Sequence, residues 1–136
     1  MSFLTIIILG VITLQSSNLA MMNRQNNQIQ AHFYANQGIQ ILKAIGYKDI
    51  NDAYSGCVNP CYRQLQQSDD KYSIIQGFPE KISDIPFERT IEINNTDLTN
   101  AYNAYKVTVY IEWDDSTGPH RRTDNAHVQA KTIISE

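Results

Sequence analysis

Two cysteines lie four residues apart, in the run Cys57-Val58-Asn59-Pro60-Cys61. The spacing is Cys-x-x-x-Cys, so the Cys-x-x-Cys redox signature is absent. A zinc site would need two further ligands close by, and there is no third cysteine. Two readings stay open: a small disulfide formed in an oxidising compartment, with Pro60 helping the turn, or two free thiols. Closing so short a ring stiffens the chain locally more than it stabilises the whole. The three histidines, His32, His120 and His127, are scattered and none has the spacing of a metal ligand or of a base beside a nucleophile. His32 is expected at a surface or an interface. Asp114, Asp115 and Asp124 flank one hairpin tip that also carries Arg121 and Arg122, which reads as a solvated turn with edge-protecting charges. The triplet Asn94-Asn95-Thr96 fits a glycosylation sequon, a pattern that often arises by chance. Paired carboxylates in a concave setting, a Ser-His-Asp arrangement and a phosphate-binding glycine loop are not visible. The expectation is therefore a protein that is not an enzyme, with no catalytic residues, no metal and no cofactor.

With no reaction to position, the informative feature is how polarity is distributed along the elements. At 136 residues there is room for one domain and one core. A net charge of -3 implies no strongly charged partner, and the absence of a Lys/Arg stripe argues against nucleic-acid binding. Residues 1–23 carry no charge at all, and Arg24 is the first. Within them residues 3–14 read FLTIIILGVITL. A cleaved signal peptide would need a basic start and a small-x-small cleavage site, and Met-Ser and Asn18-Leu19-Ala20 supply neither. A complete membrane span needs about 20 apolar residues, and residues 3–14 reach only about 18 Å. The remaining readings are the distal part of a longer apolar helix or the core helix of a soluble protein. A core helix should end soon in a cap or a turn, and this one does not.

No proline precedes Pro60, and only Gly10, Gly38 and Gly46 interrupt residues 1–47. Leu19, Met22, Ile29 and Phe33 share one helical face; Ile39, Leu42 and Ile45 keep the spacing on a rotated one. A helix from residue 2 to about 46, stopped at Gly46, is expected to be about 65 Å long. That exceeds the diameter of so small a domain, so part of it must protrude. A protruding helix that is apolar all round needs lipid or other helices around it. Residues 48–86 read as irregular, with a short strand at 72–76. Beyond them the sequence alternates. Phe87, Arg89, Ile91 and Ile93 form one row, Val107, Val109, Ile111 and Trp113 a second, and Val128, Ala130, Thr132 and Ile134 a third. These are half-buried antiparallel strands whose apolar face the distal helix must cover. The expected fold is α+β: a long N-terminal helix packed on a C-terminal antiparallel β-sheet.

That order of elements resembles type IV pilins and pseudopilins. The segment FYANQGIQILKAIGY, residues 33–47, is similar to their distal helix, and FERTIEI, residues 87–93, looks like their first sheet strand. YKVTVYIEW followed by HVQAKTIIS resembles their closing hairpin, with Trp113 near the end of its first strand. The short basic leader ending in glycine and the glutamate near the mature start, which prepilins carry, have no counterpart here. Two expectations follow: the true start lies upstream and Met1 is an internal methionine part-way along the apolar helix, which is the favoured reading, or the chain is a genuine truncation.

The resemblance implies a structural subunit, a minor pilin or pseudopilin, of a type IV pilus or type II secretion-like filament. It implies residues 1–22 as the membrane and filament-core segment and 23–136 as the globular domain. Within that domain the distal helix takes residues 23–46, a variable loop 47–86 and the sheet 87–135. Phe3, Leu4, Ile6, Ile7, Ile8, Leu9, Val11, Ile12 and Leu14 would carry the packing, with other pilin or pseudopilin subunits and the inner membrane as partners. The expected location is the bacterial cell envelope, with the globular domain outside the cytoplasm or on a surface filament. Some pseudopilins bind calcium through loop carboxylates and some minor pilins take up DNA. Asp114, Asp115 and Asp124 are too few for 6–8 oxygen ligands, and His120, Arg121 and Arg122 too small a patch, to expect either. The competing expectation is a membrane-anchored or secreted monomeric adhesin or binding module.

Overall fold

In the computed structural model the described residues are 2–58, 60–77, 80–82, 86–95, 104–114 and 126–136, with side chains from residue 6 onward except that of residue 80. One helix, α1 (Ser2–Ile45), occupies the first third of the chain, its 44 residues rising about 66 Å. It stops where a left-handed residue is needed. Gly46 has φ 89°, donates its N–H to the Leu42 carbonyl at 3.2 Å, and leads directly into α2 (Tyr47–Tyr54). The strands are β1 (Cys61–Ser68), β2 (Lys71–Ile75), β3 (Glu80–Lys81), β4 (Phe87–Asn95), β5 (Ala104–Trp113) and β6 (Ala126–Ser135). They form one antiparallel sheet in the order β2-β1-β4-β5-β6, with the short β3 beside β1 on the outer side of β4.

The three expected strands and their inward rows are present. Phe87, Arg89, Ile91 and Ile93 are all buried on β4, opposite Trp113, Ile111, Val109 and Val107 of β5. Val128 and Ile134 are buried on β6, with Ala130 and Thr132 half-buried between them. Period-2 alternation therefore put the right side chains inside, because one face of this sheet meets the helix and the other meets water.

Between residues 47 and 82 the structure is more regular than composition suggests. The strand expected at 72–76 is β2, and it pairs with β1, for which polar CYRQLQQS gave no strong signal. Only Cys61 and Leu65 of β1 are buried, so a sparse apolar pattern is enough near the sheet edge. The β1–β2 hairpin turns through Asp69 and Asp70, both at positive φ (44° and 65°). The primed two-residue hairpin turns require that conformation, and aspartate tolerates it better than most residues.

The cover of the sheet is the distal half of α1, which packs against β5 and β6. Its contact face is built from Ala31, Ala35, Gly38, Ile39 and Leu42, all buried. Small residues lead this row, and a Cβ placed on Gly38 would sit 3.0 Å from the Val109 Cγ1. The helix therefore rides very close to β5. Ile39 and Leu42, on the rotated face read from the sequence, are in the core, with Ile45 half-buried beside them; Leu19, Met22, Ile29 and Phe33 are not.

Candidate assembly surface on the N-terminal helix

The globular domain holds α1 only from Ala31 onward. No residue from 6 to 30 is buried, a stretch of about 37 Å at 1.5 Å per residue. Ile6, Ile7, Ile8, Leu9, Val11, Ile12 and Leu14 are each 48–67% exposed, so isoleucines and leucines point outward around the whole circumference. Phe3 and Leu4 belong to the helix, but their side chains lie outside the described residues. The helix Ile6–Ile45 contains an 18-residue window of mean hydropathy 1.4, none of it buried, and by length and composition is long and apolar enough to cross a membrane, whereas the run 3–14 taken alone falls short of one.

Two hydroxyls in this segment are satisfied internally. Thr13 Oγ1 donates to the carbonyl oxygens of Leu9 and Gly10, both at 2.9 Å, and Ser16 Oγ donates to the Thr13 carbonyl at 3.0 Å. Back-bonding of this kind removes the cost of placing a hydroxyl in an apolar environment. A side chain at Gly10 would meet nothing within 4 Å, so this glycine leaves room for a neighbour without serving any contact inside the chain.

Cys57 and Cys61 are joined by a disulfide, their Cα atoms 5.6 Å apart. Cys61 is buried as the first residue of β1, while Cys57 is half-buried and its N–H bonds the Tyr54 carbonyl at 3.0 Å. The bridge thus staples the end of α2 to the sheet. Arg63 reinforces the same junction, donating from Nε and Nη2 to the Ala53 carbonyl at 3.0 and 2.8 Å. Val58 at the ring's tip is 85% exposed.

His32 and His127 are both exposed, on α1 and β6. Asp114 is exposed, while Asp115, His120, Arg121, Arg122 and Asp124 lie outside the described residues, as does Thr96 of the sequon. Among the described residues no three His, Cys, Asp or Glu side chains cluster in a way that would hold a metal ion. One feature escaped the sequence reading: a groove of about 560 Å³ between the end of α1 and β2, floored by Ile41, Ile45 and Tyr72 and edged by Asp49 and Asp70. Only the pairing of β2 with β1 brings those residues together.

No known protein family, no curated protein and no solved structure matches the chain. The arrangement itself, a long apolar N-terminal helix laid on an antiparallel sheet, is pilin-like in shape.

Proposed function

We propose that this chain is a structural subunit, of the minor pilin or pseudopilin kind, of a type IV pilus or type II secretion-like filament. It sits in the inner membrane of the cell envelope before assembly, with the sheet domain on the extracytoplasmic side. One observation carries the reading: residues 6–14 are apolar on every side and open on every side, on a helix that outruns its own domain. In water such a segment leaves about 25 cal/mol per Å² of exposed apolar surface unrecovered. Lipid recovers it before assembly, and neighbouring helices recover it afterwards. Moving from one apolar surrounding to the other costs little hydrophobic energy, which lets an assembly machine extract the subunit. The disulfide between Cys57 and Cys61 fits an oxidising compartment for the domain.

The test is fractionation of cells that express the chain. The protein should be found in the inner-membrane fraction and, once assembled, in sheared surface or periplasmic filaments. Replacing Ile7 and Val11 together by lysine costs about 5 kcal/mol or more of insertion energy and should release it from both. A wild-type chain recovered as a soluble monomer would instead identify a secreted binding module.

A further inference from the structure

The outward face of α1 carries a second pattern, distinct from the all-round apolarity of residues 6–14. From Ile8 to Phe33 one strip advances in alternating steps of four and three: residues 8, 12, 15, 19, 22, 26, 29 and 33. This is a heptad seam with Ile12, Leu19, Asn26 and Phe33 at a positions, and Ile8, Gln15, Met22 and Ile29 at d positions. All eight side chains are exposed, and its six apolar members are each 49–69% open. The f positions of the same heptads include Ala31 and Gly38, both buried against the sheet. The seam therefore lies on the side of the helix opposite the domain, and a partner helix can lie along it for about 39 Å without meeting the sheet.

Lipid explains this strip poorly. Hydrocarbon imposes no period on a helix, yet the seam keeps 3.5, the repeat that lets two helices stay in contact while supercoiling. The seam also continues past Leu14 into a stretch dominated by amides, whose uncovered side chains hydrocarbon would not satisfy. The flanks indicate what does cover it. The g positions are Val11, Asn18, Gln25 and His32, and the e positions include Ser16, Asn23 and Gln30, all exposed and none a carboxylate, lysine or arginine. Two identical helices lying parallel would bring the g flank of one against the e flank of the other, and these flanks carry no fixed charge to repel. Amides both donate and accept, so Gln25 of one copy and Gln30 of the other are complementary to themselves. The six apolar knobs expose roughly 600 Å², and with the amide flanks the strip approaches the ~800 Å² per partner of a standard interface. One asparagine among otherwise apolar a positions is a known device for setting register and helix number.

We propose that this face binds a second copy of the same chain, as a parallel, in-register, two-stranded coiled coil running from Ile8 to Phe33, with the two Asn26 side chains facing each other. The proposal rests on the assembly role above and names its first partner. The pair is the unit that carries the seam from the membrane segment out to the domain.

The experiment uses the full-length chain in detergent micelles, with its mass measured by light scattering. One variant carries Gln25→Glu with Gln30→Glu, the other Gln25→Lys with Gln30→Lys. In a parallel in-register pair residue 25 of one copy meets residue 30 of the other. Each variant alone should therefore dissociate about fivefold more readily than wild type, and an equimolar mixture should recover the dimer. All these positions are exposed in the single chain, so helix content by circular dichroism should not change. A photo-crosslinking residue at Asn26 should join two copies, and the same residue at Gln28, off the seam, should not. A monomeric wild type, variants that dimerise as well as wild type, or crosslinks from Asn26 to lipid alone would each overturn the proposal. Flotation with lipid vesicles separates the two readings. Chains that float but stay monomeric fail here while keeping the anchoring role, whereas chains that dimerise but do not float fail the anchoring role alone.

Discussion

On the outer face of the sheet Tyr110 Oη donates to Glu92 Oε2 at 2.6 Å, and Asn94 Nδ2 donates to the other oxygen of the same carboxylate. The bond to Glu92, then burial, then the nearby negative charge push the Tyr110 phenol up to about 12. Losing the proton would place two anions side by side, which is why the proton stays. Because the folded value lies above the ordinary value of about 10, the stability this bond contributes is fully present below about pH 10. It is lost as pH rises from about 10 through about 12. Tyrosinate absorbance should show a late-titrating component in the folded protein, and Tyr110→Phe should remove the part of it at about pH 12 while the upward-shifted Tyr105 remains. The stability difference between wild type and Tyr110→Phe should shrink across the same window. Tyr105 shifts in the same direction for a different reason: burial first, then the neighbouring Tyr47 and Tyr54, whose rings pack against it at 5.6 and 5.0 Å. Its hydroxyl bonds Asn51 Oδ1 at 2.6 Å and so ties α2 to β5.

Among the elements, α1 rides close on β5. Ala31, Ala35 and Gly38 give the helix a row without bulk, and at Gly38 the Val109 methyls leave no room even for a Cβ at ordinary contact distance. Gly38→Leu should lower the free energy of unfolding by about 1–3 kcal/mol, since leucine costs nothing in helix propensity and the loss comes from overpacking alone. Urea titration should show a lower midpoint with an unchanged slope. Gly10→Leu is the matching control: with open space around Gly10, the domain's midpoint should stay where it is. The irregular reading of residues 48–86 failed at this scale. β1 buries only Cys61 and Leu65, so a strand held by its ladder to β4 and β2 leaves little hydrophobic trace in its own residues. The hairpin turn of Asp69 and Asp70 was readable in principle, since two turn-forming residues separate CYRQLQQS from KYSII.

For the whole molecule the consequence is that the domain owes little of its stability to the first part of the chain. Residues 6–22 bury nothing against the sheet, so a protein beginning at Asn23 should be soluble and unfold at the same temperature as full-length protein in detergent. A truncated protein that unfolds at markedly lower temperature would mean that the apolar segment completes the core. The long helix and the strands beyond residue 86 were legible because they follow from local rules. Nine residues in an alternating row make a half-buried strand whatever lies beyond them, and an uninterrupted apolar run with no proline makes a helix. The stop at Gly46 likewise needs only a residue that tolerates positive φ.

The sequence by itself determined that an oily helix leads a mostly β domain, and which side of each main strand faces inward. Tertiary structure alone decided which side of the helix faces the strands. Leu19, Met22, Ile29 and Phe33 are the larger apolar row, yet Ala31, Ala35, Gly38 and Leu42 won the contact. The sheet rewards the face that lets backbones approach, and that advantage depends on Val109 and Arg89, more than fifty residues away. What the larger row lost to the sheet it keeps available for another helix.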